Sequence, residues 1–230
     1  FEVLFVIDET LAPGGPDPGK LGVYLYESDG NGGYTHVWHF VTPDPGNSLP
    51  GMNYGDIDGD GNHEIYFGVP PSVGNNTNSW GTYIFEQGAD GAFPTTPTML
   101  WQHANGATGL TETDNFRPSS YQIADVDGDG KNELITTDRG MVHLTIDALV
   151  GDDLDDLATM ANEYFTGGDG AELDGGGIYD VDVVDFDGDG LHEVWVNTWD
   201  NFSMAIYEAT GADAYRLAND LNEMFIDNDP

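Results

Sequence analysis

The sequence contains no cysteine, very few basic residues and no long apolar run. Five Lys and Arg stand against 42 Asp and Glu in 230 residues. Without cysteine the chain can form neither a disulfide nor a thiolate nucleophile, although a bound metal can stabilise an exported domain instead. Nucleic acids need a basic surface, and anionic membranes would repel so acidic a chain. No segment is long enough to span a bilayer. We therefore expect no nucleic-acid partner and no direct membrane insertion.

The acidic excess is large, with a formal charge of −37. A hydrophobic content of 39% and an aromatic content of 12% nevertheless argue for a folded core rather than disorder. Self-repulsion on this scale destabilises a compact state unless salt or bound cations screen it. Two sources are compatible with this charge: a salt-loving organism, or a secreted acidic protein in a calcium-rich medium.

A nine-residue segment occurs three times, at 56–64, 125–133 and 185–193. Each copy has Asp at positions 1, 3 and 5, Gly at positions 4 and 6, and Glu at position 9. Carboxylates at alternate positions of a tight loop converge on one point, and their hard oxygens suit Ca²⁺ better than Mg²⁺, which keeps more of its waters. The glycines allow backbone angles that other residues avoid. Three copies with the same residues at positions 1, 3, 4, 5, 6 and 9 predict about three structural calcium ions rather than ordinary Asp-Gly turns.

Position 7 of the segment holds Asn, Lys or Leu, so we expect it to contribute its backbone carbonyl. The predicted metal ligands are Asp56, Asp58, Asp60, Asn62 and Glu64 in the first loop, Asp125, Asp127, Asp129, Lys131 and Glu133 in the second, and Asp185, Asp187, Asp189, Leu191 and Glu193 in the third. An EF-hand would need its last glutamate at position 12 and helices on both sides. Here a β-prone apolar run follows position 9 each time.

The surroundings of the loops also repeat. The loops begin at residues 56, 125 and 185, so the spacing is 69 and then 60 residues. A short strand is predicted before each loop and another after it, followed by a hairpin. The hairpins are predicted at 21–27 with 35–41, at 82–87 with 98–103, and at 202–209 with 214–218. Four strands per unit, joined by turns rich in Gly, Asn and Asp, are typical of a propeller blade.

Together, the Asp-x-Asp-Gly-Asp-Gly-x-x-Glu loop and the strand after it resemble the FG-GAP/VCBS repeat, a family that includes the calcium-binding blades of integrin-α-like β-propellers. The resemblance covers nearly the whole chain. It implies an all-β fold of four-stranded antiparallel blades, calcium between the first two strands of each blade, and an extracellular or cell-surface location. It does not imply one activity, because such propellers also occur in carbohydrate-active enzymes.

On this basis the chain is a single β-propeller segment. It divides into a partial blade at 1–48, blades at 49–110, 118–166 and 178–222, and the start of a further repeat at 223–230. Because the apolar run at 2–6 aligns with the runs that follow the loops, we expect a fragment of a longer protein. The alternative interpretation is a four-bladed ring in which the C-terminal strand completes the first blade. Apolar residues at helical spacing also predict a short helix at 152–164.

The sequence carries neither a Gly-x-Ser-x-Gly elbow nor a phosphate-binding loop, so we predict no enzyme. The first hypothesis is a non-enzymatic module for adhesion, ligand binding or assembly, with a protein or glycan partner at the cell surface or in the matrix. One alternative is the accessory propeller of a secreted carbohydrate-active enzyme. Another is a self-assembling subunit of an extracellular filament. Trp80 is the candidate for an exposed sugar or partner contact, with core packing as the alternative.

Overall fold

A computed structural model describes residues 2–8, 20–44, 51–70, 80–102, 116–139, 143–151, 154, 159–167, 177–198 and 204–220. These residues form fifteen β-strands. The strands are β1 (Glu2–Asp8), β2 (Leu21–Ser28), β3 (Tyr34–Val41), β4 (Met52–Gly55), β5 (Glu64–Val69), β6 (Gly81–Glu86), β7 (Met99–Trp101), β8 (Pro118–Ala124), β9 (Glu133–Asp138), β10 (His143–Val150), β11 (Thr159–Gly167), β12 (Ile178–Val184), β13 (Glu193–Thr198), β14 (Met204–Gly211) and β15 (Ala214–Asp220). Within these ranges no helix could cross a membrane.

The strands form four separate sheets in chain order. The first sheet has three strands, β1 to β3, and the second, third and fourth have four each: β4 to β7, β8 to β11, and β12 to β15. Within each sheet, every strand pairs antiparallel with the strand that follows it in the chain. The predicted all-β antiparallel fold is confirmed at this level. Over the described ranges, the sheets form no closed barrel or propeller ring.

The strand after each loop starts at the closing glutamate, as the sequence predicts. In the second sheet, Glu64 is the first residue of β5 and pairs with Glu86 of β6. In the first sheet, Glu2 pairs with Glu27 at the corresponding position. The run beginning at Glu2 therefore pairs with the next strand in the same register as the strand that follows the first loop. All six residues of β5 are buried, because the first sheet covers one of its faces and the third sheet covers the other.

In the part of the chain that the structure describes, the hydrophobic core consists of three clusters, and each lies between consecutive sheets. Val23, Trp38, Phe67 and Phe85 belong to the cluster between the first and second sheets. Tyr66, Ile84, Tyr121 and Leu134 belong to that between the second and third. Val126, Ile146, Val194 and Tyr207 belong to that between the third and fourth. The sheets therefore stack face to face in chain order, and the burial of apolar side chains holds each one to the next.

The helix predicted at 152–164 is wrong where the structure describes that segment. Thr159–Gly167 is strand β11, which pairs antiparallel with β10 across a bulge between Ile146 and Asp147. Met160 is buried with Leu154 in the core between the second and third sheets. A short apolar pattern does not distinguish a helix from a buried strand, and pairing with β10 decides the outcome. Residues 152, 153 and 155–158, and the repeat start predicted at 223–230, lie outside the described ranges.

Trp80 lies in the core rather than on the surface. It is 4% exposed, and its ring meets that of Phe116 edge-on, with centroids 6.2 Å apart. The exposed sugar or partner contact considered for Trp80 is therefore wrong, and its alternative, core packing, is confirmed.

Candidate metal sites

Each nine-residue loop joins the first two strands of a four-stranded sheet and is held by hydrogen bonds to its own aspartates. In the first loop, both carboxylate oxygens of Asp56 accept backbone bonds, from Gly59 at 2.8 Å and from Gly61 at 3.1 Å. The aspartates at positions 3 and 5 each accept from the N–H two residues later. The second and third loops repeat all four bonds at 2.7–3.2 Å. The three loops thus share one backbone conformation.

Both glycines of the loop are required by that conformation. In the first loop Gly59 has φ 75° and Gly61 has φ 92°. The equivalent glycines of the other loops have φ between 76° and 96°. This left-handed region strains residues that have a Cβ atom. The glycines fold the chain tightly enough to bring alternate aspartates together, as the sequence predicts.

The closing glutamate is buried, and one of its oxygens accepts a hydrogen bond from the N–H at position 2. The pairs are Glu64 with Ile57, Glu133 with Val126 and Glu193 with Phe186, each at 2.6 Å. The other oxygen, Oε1, of Glu64 and of Glu133 is buried without a hydrogen-bond partner. Such an atom is costly unless a cation or proton meets it.

Burial raises the pKa of Glu64 and of Glu133 to about 8. In each case burial is the largest cause. The hydrogen bond from position 2 opposes it, and neighbouring carboxylates add to it. A nearby cation would favour the ionised form and so lower the pKa of either glutamate. The environment of both glutamates is therefore suited to a positive ion.

Three carboxylate groups in these loops could each hold a metal ion, because their oxygens lie within 4.8 Å of one another. The groups are Asp56, Asp58 and Glu64; Asp125, Asp127, Asp129 and Glu133; and Asp185, Asp187 and Asp189. The structure thus brings together ten of the predicted acidic ligands. Asp60 and Glu193 lie outside these groups. All the donors are hard oxygens, a set that fits a hard cation.

The side chains at position 7 do not belong to the carboxylate groups. Asn62 donates through its amide to Asp60 Oδ2 at 2.6 Å, and Lys131 donates through Nζ to the Gly151 carbonyl at 2.8 Å. Leu191 has no side-chain ligand atom. The role expected of their backbone carbonyls stays a prediction.

Residues at position 8 connect successive loops. Asn132 donates through Nδ2 to the carbonyl of Asp56 in the first loop, at 2.9 Å. One repeat later, Nδ1 of His192 lies 3.1 Å from the carbonyl of Asp125 in the second loop. The sequence analysis did not predict these contacts. Every copy of the segment has a polar side chain at position 8, and this pattern could have indicated them.

The next sheet also reaches the aspartate at position 3. The backbone N–H of Leu154, which follows β10, donates to Asp58 Oδ2 at 2.8 Å. That of Asp213, between β14 and β15, donates to Asp127 Oδ2 at 2.6 Å. The first and second loops are therefore each contacted by the outer hairpin of the following sheet. Asp58 and Asp127 thus belong both to carboxylate groups that could hold a metal ion and to the contacts between sheets.

A further acidic group connects the second loop with β11 and with the hairpin of β14 and β15. Oxygens of Asp127, Glu163 and Asp213 lie within 4.8 Å of one another, and the Tyr215 hydroxyl donates to Glu163 Oε2 at 2.9 Å. Burial raises the pKa of Glu163 to about 8. The sequence analysis missed Glu163 because it fell within the predicted helix.

No protein-family model, curated protein or solved structure matches the chain. The resemblance to the FG-GAP/VCBS repeat stays a prediction.

Proposed function

We propose that the chain is a calcium-stabilised β-propeller segment with an extracellular, non-enzymatic role in adhesion or assembly. One observation carries the proposal. Three loops of one conformation converge their carboxylates, and two of them bury a glutamate oxygen that has no protein partner. Calcium suits this site because it takes six to eight oxygens in a flexible shell, whereas Mg²⁺ demands a rigid octahedron and keeps its waters.

The role proposed for calcium is structural. Each loop connects the first two strands of a sheet, and in the first and second loops carbonyl and carboxylate oxygens accept hydrogen bonds from the next sheet. An ion in the loop fixes the aspartates in the positions that these contacts need. Ion binding thereby stabilises both one sheet and its junction with the next, and unfolding must release the ion.

The propeller arrangement is supported by the repeat of the sheets themselves. The second, third and fourth sheets each contain four antiparallel strands in a meander, which is the construction of a propeller blade. The loops carry the FG-GAP/VCBS pattern on the connection between first and second strands. The extracellular setting is the one that the resemblance implies, and calcium modules of that compartment work at about 10⁻⁴ to 10⁻³ M.

Chelation tests the proposal. We expect excess EDTA to lower the melting temperature of the full chain sharply, and added Ca²⁺ to restore it. Mg²⁺ at the same concentration serves as the matched control and should restore far less. A melting temperature that is the same in EDTA and in Ca²⁺ would rule out a stabilising role for the ion.

A further inference from the structure

The third and fourth sheets meet at an acidic group that the loop motif does not explain. Asp127 of the second loop, Glu163 of β11 and Asp213 between β14 and β15 have carboxylate oxygens within 4.8 Å of one another. Asp127 also belongs to the carboxylate group of the loop itself. Two acidic groups therefore adjoin at this junction and share one aspartate, and together they contain six carboxylates.

Glu163 reaches this group because it is the extra residue of a β-bulge. The register of β10 with β11 shifts between Ile146 and Asp147, and Glu163 is the residue of β11 that is left without an opposite residue. A bulge turns a side chain away from the regular alternation of its strand. The Tyr215 hydroxyl then donates to Glu163 Oε2 at 2.9 Å, and Tyr215 packs against the core between the third and fourth sheets. These contacts fix the Glu163 carboxylate at the junction.

Asp213 is fixed from the fourth sheet. It has φ 56°, in the left-handed region that Asp and Asn adopt more readily than most residues. Its N–H donates to Asp127 Oδ2 at 2.6 Å, and its carboxylate lies within hydrogen-bonding reach of that of Glu163. Two carboxylates in contact repel each other unless a proton or a cation lies between them.

The closing glutamate of the second loop is an independent indication of a ligand. Glu133 is fully buried, and its Oε1 has no hydrogen-bond partner among the described residues. Burial is the main cause that raises its pKa, and the charged group with the largest effect is Glu163, ahead of the aspartates of its own loop. At Glu64 the charged group with the largest effect is Asp58, which belongs to the same loop. The Glu133 carboxylate therefore faces the further acidic group as well as its own loop.

We propose that a further Ca²⁺ ion binds between the third and fourth sheets, at a junction site formed by Asp127, Glu163 and Asp213 beside the buried Glu133 carboxylate. The ligands are hard oxygens, as in the loops. The ion offsets carboxylate charge that a single loop ion leaves uncompensated. This inference rests on the proposed function, because Asp127 is also a ligand of the second loop.

The junction of the second and third sheets provides an internal comparison. There the N–H that reaches position 3 of the loop belongs to Leu154, whose side chain has no ligand atom. The outer strand β7 has three residues, whereas β11 has nine. Within the described residues, the carboxylate group that contains Asp58 is confined to the first loop. The junction site therefore adds one ion to the chain rather than one to each sheet.

The junction ion should bind more weakly than the loop ions. It shares Asp127 with another dication, and like charges at neighbouring centres repel. Asp213 is exposed and Glu163 is partly exposed, so water screens part of the attraction. Extracellular calcium modules fill at about 10⁻⁴ to 10⁻³ M, and we expect the junction site to fill at about 10 mM, when the three loops are already occupied.

Thermal melts of the full chain from about 1 to about 30 mM Ca²⁺, at an ionic strength held constant with NaCl, test the site. The melting temperature of the wild type should continue to rise over this range, because an ion that binds the folded chain stabilises it. Glu163→Gln and Asp213→Asn should level off near 1 mM. Gln keeps an acceptor for Tyr215 and Asn tolerates the left-handed turn, so both variants should keep the stabilisation that the loop ions confer.

Glu27→Gln and Asp29→Asn are the matched controls, one on a strand and one in an outer turn. Both residues are exposed, and neither belongs to the carboxylate groups that could hold a metal ion among the described residues. They should respond to Ca²⁺ like the wild type. Mg²⁺ over the same range should raise the melting temperature far less, because it demands a rigid octahedron.

Terbium luminescence places the ion. Tb³⁺ is a hard cation that prefers the same oxygen ligands as Ca²⁺, and a nearby tyrosine excites its emission. Because Tyr215 bonds to Glu163, the wild type should bind one more Tb³⁺ than Glu163→Gln does. The variant should also lose the emission that is excited through Tyr215.

Two outcomes overturn the junction site. One is a wild type whose melting temperature stops rising once the loops are filled and which binds no more Tb³⁺ than Glu163→Gln, a result that leaves the calcium loops standing. The other is a response of Glu163→Gln and Asp213→Asn to Ca²⁺ that equals that of the wild type. A chain whose melting ignores Ca²⁺ at every concentration contradicts the proposed function instead, so the two failures are distinguishable.

Discussion

At the scale of single residues, the closing glutamates most directly indicate an ion. Glu64 and Glu133 are fully buried, yet each uses only one carboxylate oxygen in a hydrogen bond to the protein. A buried carboxylate without a counter-charge is destabilising, and it becomes favourable when a cation is added. These residues should therefore cost stability in the metal-free protein and contribute it in the calcium-bound protein.

Glu133→Gln should reduce the stabilisation that calcium confers. The amide keeps the shape of the side chain but removes its charge. In EDTA the variant should melt higher than the wild type, because the amide neither buries a charge nor takes up a proton on folding, as a carboxyl with a pKa of about 8 must. Calcium should then raise the melting temperature of the variant by less than that of the wild type, because one ion is bound at least about tenfold more weakly, a loss of about 1.4 kcal/mol. Thermal melts in both conditions check this.

Glu27→Gln is the control, since Glu27 is an exposed strand glutamate outside the loops. It should change neither melt appreciably. A Glu133→Gln variant that shifts the melting temperature equally in EDTA and in Ca²⁺ would show that the glutamate acts through packing alone.

At the scale of elements, the loop and its strands form the repeating unit, and the side chain at position 8 joins one unit to the next. Asn132 reaches the first loop in this way. His63, at the same position of the first loop, stacks instead on Tyr54 within its own sheet, with ring centroids 4.8 Å apart. Substituting each residue in turn therefore distinguishes the effect of a contact between sheets from that of a contact within one sheet.

Asn132→Ala should lower the free energy of unfolding by about 1 kcal/mol, the usual worth of one hydrogen bond. Because the lost bond ends on Asp56, it should also weaken calcium binding in the first loop, which lies in a different sheet. Calorimetric titration together with urea unfolding measures both effects. His63→Ala, the matched control, should leave the junction between the second and third sheets intact. Equal effects of the two substitutions on calcium binding would contradict the linkage.

The strands flanking the loops could be predicted closely from the sequence, because a loop of fixed conformation sets where each strand begins. Glu64, Glu133 and Glu193 all start a strand, as predicted. The prediction failed for β11, where no loop precedes the strand and the apolar spacing is ambiguous. The contacts of Asn132 and Leu154 with the preceding loop depend on how the sheets stack. The polar side chain at position 8 indicates that a contact is possible, but it does not identify the partner.

At the scale of the whole molecule, charge opposes folding and assembly. The formal charge is −37, and three Ca²⁺ would reduce its magnitude only to about 31. With Ca²⁺ held saturating, NaCl should therefore raise the melting temperature as it screens the surface acids. The control is sucrose at the same osmolality, because sucrose is excluded from the protein surface but does not screen charge. A melting temperature that does not change with NaCl would show that repulsion between surface acids contributes little to stability.

The central claim is that the acidic loops are calcium sites, and counting bound ions tests it most directly. Native mass spectrometry of the full chain, exchanged into a volatile buffer with about 1 mM Ca²⁺, resolves the number of ions on each molecule. The account predicts a dominant species carrying three Ca²⁺, reduced to two by Glu133→Gln. A spectrum of the folded chain without bound Ca²⁺, or one that Glu133→Gln leaves unchanged, would contradict it.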